Sequence, residues 1–430
     1  MTIAIPRAPR PARRPLHPLL QPAAPVASPL FPPVAPAAAI VRTRSAVNAL
    51  VRAALYLFVL SIPFEIPQRS IPLEIPTLVG ALFLLATLIQ PSAAYRRIPG
   101  AVVWFVAYLW MFGLSTLVNR TEHSMIVLLQ FLGLLQVTLI LWAASNLLRH
   151  RQVMRGALLT LAFACAVRAG MQVFGIAASA QALWTGGVRL TVLGQNPNLS
   201  AIILSAGFIT VLNLRPRLLA WPVAAMIGYA IIQTGSRGGL LCAVAGLLAL
   251  LWQGRTPWAR IRSMLYGLVV LGLLALGVWQ SDMLRTRVQA ATQEGSLAGR
   301  ERIYPAAIEM ISEKPLLGWG PTENQYEIGK RIGEAKKDRR DAHNILLELM
   351  SATGILGTIP FLVGLTLCIV SGWRARRGPL HMLPFALLAT VLMGSISGTW
   401  LSSKILWLAL AIALASGAVV KELERQRCAA

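Results

Sequence analysis

The chain has 430 residues, of which 56% are hydrophobic and 13% charged, with a mean hydropathy of +0.63 and a formal net charge of +24. A soluble domain does not carry this much apolar sequence; repeated apolar stretches close to bilayer length indicate a polytopic helical membrane protein. The basic excess lies mostly in short loops on alternating sides of those stretches, which marks topology and excludes a groove for nucleic acid.

In chain order, residues 1–45 come first, rich in Pro, Ala and Arg. Prolines this dense prevent a stable helix, and no apolar core of about 7–15 residues marks a signal peptide. The segment reads as a disordered cytoplasmic tail. Apolar stretches follow at 47–62, 73–89, 100–118, 124–142, 155–176, 198–213, 218–233, 238–252, 263–280, 344–370, 381–397 and 403–420. They predict an all-α bundle of about twelve transmembrane helices, some short for about 30 Å of hydrocarbon. Residues 46–280 hold helices 1–9, residues 343–420 hold helices 10–12, and 421–430 form a short cytoplasmic tail.

One set of loops carries Arg96/Arg97, Arg149/Arg151/Arg155, Arg215/Arg217, Arg255/Arg260/Arg262 and Arg374/Arg376/Arg377. The alternate short loops carry mostly single charges: Arg69, Arg120, Arg189, Arg237 and Lys404. The positive-inside rule then puts both termini in the cytoplasm and the charged segment 281–342 outside, between helices 9 and 10. Most of the acidic residues lie in that segment. Its patterning predicts helices over 300–311 and 323–335, separated by a break at Pro315 and Gly318-Trp319-Gly320-Pro321. Trp319 suits a membrane interface and predicts that the segment lies against the bilayer. Of the cysteines, Cys165, Cys242 and Cys368 fall in apolar stretches and Cys428 in the tail, with no CxxC or Cys/His spacing for zinc.

The residues able to carry chemistry collect on the outer side. His343 follows the charged run ending in Asp341 and precedes Ile345-Leu346-Leu347, which places an imidazole at the mouth of a span. A neutral imidazole there can take a proton from a hydroxyl, or it can simply mark the interface. Asn344 can orient a neighbouring group. Arg237 is the sole charge of Thr234-Gly235-Ser236-Arg237-Gly238-Gly239. An unpaired arginine between membrane helices costs several kcal/mol; it either snorkels to the surface or meets an anion such as phosphate, with Ser236 as a further donor. Arg300 and Arg302 open the first predicted helix of the outer segment. Taken alone they are solvated charges; beside a histidine they resemble a pyrophosphate site. Glu348, within an apolar start of a span, faces protein or a cavity and is a candidate partner for an arginine. Lys404, at the outer start of the last span, is a weaker phosphate candidate. Gln195-Asn196-Pro197-Asn198 either caps the next helix, the favoured reading, or touches sugar hydroxyls through Asn198.

The chain has only three aspartates and no Asp-x-Asp pair, P-loop or Rossmann glycine run. A metal-dependent transferase would want clustered carboxylates. No metal site and no cofactor is expected.

The order of these motifs resembles the O-antigen ligase and polymerase superfamily of bacterial inner membranes. The resemblance is sharpest from Gly299 to Thr358. It rests on Arg300…Tyr304…Pro315-Leu316-Leu317-Gly318-Trp319-Gly320, on His343-Asn344 followed by Gly354-Ile355-Leu356-Gly357-Thr358, and on the loop Thr234–Gly239. It implies a GT-C type glycosyltransferase fold with a large periplasmic loop between helices 9 and 10. It also implies a donor glycan on undecaprenyl diphosphate and, in the ligase branch, an acceptor sugar hydroxyl on lipid A-core. By the same resemblance Arg237 and Arg300 hold the diphosphate and His343 is the base, without metal or ATP. Arg302, Ser236, Asn344, Glu348, Lys404 and Asn198 are expected substrate contacts. The His-Asn and glycine signature leans to the ligase branch. A polymerase extending an undecaprenyl-linked glycan, or a protein-directed oligosaccharyltransferase, remains open. The oligomeric state is not legible.

Overall fold

A computed structural model describes residues 46–66, 74–120, 122–182, 188–214, 216–252, 256–293, 299–333 and 339–429. The expected tail at 1–45, together with Arg69, Arg215, Arg255 and the run Lys336-Lys337-Asp338, lies outside the described residues. Helices α1 (Ala49–Ser61), α2 (Ile75–Thr87), α3 (Pro91–Ala94), α4 (Gly100–Asn119), α5 (Ser124–Leu147) and α6 (Arg151–Val173) open the chain. A hairpin of β1 (Ala178–Ala182) and β2 (Val188–Val192) follows. Next come α7 (Pro197–Leu212), α8 (Arg217–Gln233), α9 (Arg237–Leu251) and α10 (Pro257–Gln280). The charged segment 281–342 contributes α11 (Asp282–Gln293), α12 (Arg300–Glu313) and α13 (Glu323–Arg331). Finally α14 (Ile345–Arg374), α15 (Leu383–Ile396) and α16 (Lys404–Ala429) complete the bundle.

Each apolar stretch expected from the sequence holds an apolar helix. Six of them, α4, α5, α6, α10, α14 and α16, are long and apolar enough to cross a membrane, so the chain is an integral membrane protein. The others run from 13 residues in α1 to 17 in α8. At 1.5 Å per residue that is about 20–25 Å, short of the hydrocarbon slab. Prolines at the first turns of α2, α7, α10 and α15 and side-chain caps from Asn48, Asn196, Ser236, Thr256 and Asn344 set where several helices start.

Two features add detail to the expected bundle. In the connection 175–199, β1 and β2 pair antiparallel, Ala178 with Val192 and Ala182 with Val188, a short hairpin in an otherwise helical chain. At the other end of the chain α16 runs on to Ala429, so residues 421–429 continue the last helix.

The bundle core is aromatic where α4, α14 and α16 meet. Phe105 lies 5.3 Å from Phe361 and 5.0 Å from Trp407, ring centre to ring centre, and all three are buried. Cys165, Cys242 and Cys368 are buried in the bundle as small apolar residues; Cys428 is exposed.

Helix α14 is broken at Gly354, whose φ of 62° and ψ of −166° lie outside any helix. The stretch Pro315–Gly320 docks into that break. Trp319 N donates to Ser351 O at 2.8 Å and Gly320 N to Ala352 O at 3.0 Å; Ile355 N and Leu356 N donate back to Pro315 O and Leu316 O. A β-carbon on Gly354 would collide with the Leu316 backbone. Ser115 and Asn119 of α4 hold the same turn from behind, through bonds to Leu317 O at 2.7 Å and Gly318 O at 3.2 Å. Both glycine motifs that carry the family resemblance therefore fit into one joint.

Above the joint, Ile303, Ala307, Met310, Ile328 and Ala342 form a small second core between α12 and α13. Trp319 belongs to it. Its Nε1 donates to Met310 O at 2.9 Å, and Lys314 and Arg331 lie over its ring. Its ring is committed to protein, which removes it as the reason for placing the segment on the bilayer. Arg331 ties the two helices together through Glu313 and Glu327.

Candidate active site

The turn between α8 and α9 is the hub of the polar end of the bundle. Thr234 and Ser236 are buried there, and Gly235 takes a φ of +59°, which glycine adopts without strain. Ser236 caps α9 by accepting from Gly239 N at 3.1 Å and donates its hydroxyl proton to Asn198 Oδ1 at 2.9 Å. Four arginines reach this turn or its neighbour. From β2, the buried Arg189 donates through Nε to Thr234 O at 2.8 Å and through Nη2 to Asn198 Oδ1 at 2.9 Å. Arg287 of α11 donates to Gly235 O, and Arg237 at the start of α9 returns a bond to Arg287 O at 2.8 Å. Gly238 presses on Ser397 (a β-carbon there would lie 2.7 Å from Ser397 Oγ), and Arg300 of α12 donates to Ser397 O at 2.7 Å.

Next to Arg300 stands a pair that couples a base to a carboxylate. His343 Nδ1 lies 3.1 Å from Asp341 Oδ1, and Thr399 donates to the other Asp341 oxygen. Both side chains are about one-third exposed, so the imidazole can meet substrate while its orientation is held. Nδ1–H donating to the carboxylate leaves Nε2 as the acceptor. His343 has a φ of +49°, a left-handed backbone that costs a non-glycine residue energy. Asn344 resolves the next step of the chain: it caps α14, Oδ1 accepting from Leu346 N at 2.9 Å and Leu347 N at 3.3 Å. Burial and the Arg300 guanidinium both hold His343 below its ordinary value, keeping it neutral at physiological pH. Burial pushes the Asp341 carboxyl up to about 6, against the pull of Arg300 and Arg340.

Glu348 is buried one turn inside α14 and accepts three bonds. They come from Ala342 N at 2.9 Å, Gln325 Nε2 at 2.8 Å and Asn324 Nδ2 at 3.1 Å. The expected arginine partner is replaced by amides; the carboxylate ties the approach to His343 onto α13. Arg302, two residues past Arg300, donates to Ile332 O at 2.6 Å and is exposed, so it braces α12 against the end of α13. Lys404 departs furthest from expectation. It is buried and pairs with Glu65 at 3.1 Å and Glu74 at 3.3 Å. Two carboxylates already neutralise it, which leaves no positive charge to offer phosphate. Asn196, not Asn198, caps α7, accepting from Asn198 N at 2.8 Å; Asn198 holds Arg189 and Ser236.

Three residues in this constellation had no assigned role in the sequence reading. Asp341 was visible only as the end of a charged run, although its spacing of two from His343 suits a local pair. Arg189 counted only as a topological charge, and Arg287 lies on a helix that the sequence pattern did not announce. A further buried arginine, Arg168 of α6, donates to Ser200 Oγ at 2.6 Å and to Gln195, which in turn donates to Glu65 O. It belongs to the scaffold that holds the Lys404 cluster.

A helical integral membrane protein thus gathers a histidine, a carboxylate and several guanidiniums at one end of its bundle. Residues 221–362 match the family model described as O-Antigen ligase. An O-antigen ligase of Pseudomonas aeruginosa is 32% identical over 207 residues, covering 46% of this chain and 47% of that protein. The aligned part spans about half the length of that curated relative. Over these segments the chain is similar to the O-antigen ligase family. The matched segment takes in Arg237, Arg287, Arg300, Asp341, His343 and Gly354.

Proposed function

We propose that this protein is a ligase of that family: it transfers an O-antigen glycan from undecaprenyl diphosphate to a sugar hydroxyl of lipid A-core. The reaction takes place on the periplasmic face of a Gram-negative inner membrane, with both termini in the cytoplasm and residues 281–342 outside. The observation that carries the reading is the His343–Asp341 pair beside Arg300, at the same bundle end as Arg237.

The acceptor hydroxyl gives its proton to His343 Nε2 as its oxygen attacks the anomeric carbon of the donor. A new C–O bond forms, the bond from that carbon to the phosphate oxygen breaks, and undecaprenyl diphosphate leaves. Arg237 and Arg300 stabilise the charge gathering on the leaving group. Asp341 holds the tautomer and stabilises the imidazolium that forms. The reaction is a single inverting displacement: among the described residues His343 is paired with Asp341 as a base, and the acceptor hydroxyl itself attacks the donor. The glycosyl diphosphate supplies the driving force, so neither ATP nor metal is required. The short apolar helices complete a membrane domain of about twelve crossings by tilting or by local thinning of the bilayer, in a GT-C type arrangement.

Product analysis with the purified protein tests this. Undecaprenyl-diphosphate glycan is supplied with and without lipid A-core. A glycan–lipid A species that requires the core is the expected product. Longer glycans still on undecaprenyl, formed without the core, would make the protein a polymerase instead.

A further inference from the structure

The link between α15 and α16, residues 397–403, touches the site at one end and the core of the bundle at the other. The Ser397 carbonyl takes Arg300 at 2.7 Å, and Thr399 bonds the Asp341 oxygen that does not face His343. An ionised carboxylate only accepts, so the Thr399 hydroxyl is the donor. Further along, the link is pinned. Trp407, buried in the aromatic core, donates through Nε1 to Leu401 O at 2.7 Å. Ser403 Oγ donates to Glu65 Oε2 at 3.0 Å. The Lys404 backbone N–H and its ammonium meet the same carboxylate at 3.2 Å and 3.1 Å.

The last torsion of an aspartate side chain is broad, so a carboxylate held at one oxygen can turn, while one held at both has a fixed plane. Asp341 is held at both: Oδ1 lies 3.1 Å from His343 Nδ1, and Oδ2 takes Thr399. The main chain on either side is fixed by other bonds, Arg340 N to Gln325 O at 3.0 Å and Ala342 N to Glu348 Oε2 at 2.9 Å. The charged groups that bear on Asp341 are Arg300 from α12, Arg340 next to it and Glu348 from α14, with His343 as its hydrogen-bond partner. Residues 397–403 include no ionisable side chain. Thr399 therefore gives the carboxylate a direction without adding a charge to the site.

We propose that Thr399 is a positioning residue for transfer: anchored through Trp407 and the Glu65–Lys404 pair, it fixes the plane of the Asp341 carboxylate and through it the tautomer and orientation of His343. This rests on the reading of His343 as the base. It also gives Lys404 a task that its pairing with Glu65 and Glu74 permits. The lysine fixes one end of the link, and the other end acts on the site.

The test is steady-state transfer by the purified full chain, read as kcat, KM for the lipid-linked donor, and the pH profile, with thermal unfolding as the check on folding. Thr399→Val keeps the shape and removes the hydroxyl. It should lower kcat about tenfold, the scale of one hydrogen bond to a charged group, and leave KM unchanged. A bond given to the ionised form favours that form, so losing it should move the acid limb of kcat to higher pH. Thr399→Ser keeps the hydroxyl and should restore both the rate and the limb. In an Asp341→Asn background the hydroxyl has no anion to hold, so adding Thr399→Val should cost little more. Wild-type kcat and pH profile in Thr399→Val overturn the proposal alone. So does a Thr399→Ser protein that behaves as Thr399→Val, or the same tenfold loss in the Asp341→Asn background. Wild-type transfer by His343→Ala overturns the reading of the base as well.

Discussion

In the proposed reaction His343 acts only while neutral, and Asp341 orients it only while ionised. Both protonate as pH falls: Asp341 through about 6 and His343 below its ordinary 6.5. Activity is therefore present above these values and lost as pH drops through them. The acid limb of kcat should be steep because two groups titrate. Asp341→Asn removes one of them; the limb should become shallower and the plateau fall by about 10- to 100-fold, within the usual scale of general-base effects. His343→Ala should abolish turnover in a protein that still folds, checked by unchanged thermal unfolding in detergent. Retention of wild-type transfer by His343→Ala would remove the base assignment. Lys404 shows how position misleads at this scale. It stands at a helix start, as a phosphate ligand would, yet Glu65 and Glu74 pair with it. Its partners lie more than 300 residues away in the chain, beyond any local pattern.

At the scale of elements, the decisive feature is the break in α14. The segment before Gly354 carries Glu348 and begins beside His343; the turn Pro315–Gly320 fills the break and supports α12, which carries Arg300. One joint thereby positions both His343, the proposed base, and Arg300, the arginine proposed to bind phosphate. Gly354→Ala places a methyl into the Leu316 backbone and forces a backbone angle that costs about 1–3 kcal/mol for a non-glycine residue. It should lower the unfolding temperature and reduce transfer at least tenfold with no change in any reacting group. Gly113→Ala is the control, since nothing lies near its added methyl; it should leave both unchanged. If Gly354→Ala matches Gly113→Ala, the joint does not position the site. The glycine signature was legible in the sequence as a pattern, but its purpose was not. A glycine's spacing shows that a side chain is unwelcome, while the neighbour that would collide comes from another element.

Across the whole molecule, hydrophobic burial explains the bundle and charge pairing explains its polar end. The aromatic contact of Phe105, Phe361 and Trp407 and the enclosed α16 build a conventional membrane core. The arginines are spread over β2, α9, α11 and α12 and converge only when these elements pack. In the proposed reaction the guanidiniums offset the charge of the diphosphate leaving group, as a divalent cation does at other sites. Transfer should therefore persist in EDTA; loss of activity restored by Mg²⁺ would overturn the metal-independent reaction.

The amino-acid sequence by itself determined where the apolar helices lie, that they belong in a membrane, that Arg237 and His343 sit at their ends, and that Arg300 opens a polar helix of the charged segment. These are local properties: runs of apolar residues, caps and isolated charges are set by neighbours in the chain. Only the tertiary structure decided that Asp341 holds His343, that Arg189 and Arg287 join Arg237 at the turn between α8 and α9, and that Lys404 is paired with two carboxylates. Hydrogen bonds and ion pairs act over about 3–4 Å in space regardless of distance along the chain. The hairpin and α11 are short and weakly patterned, and their placement follows from what they pack against.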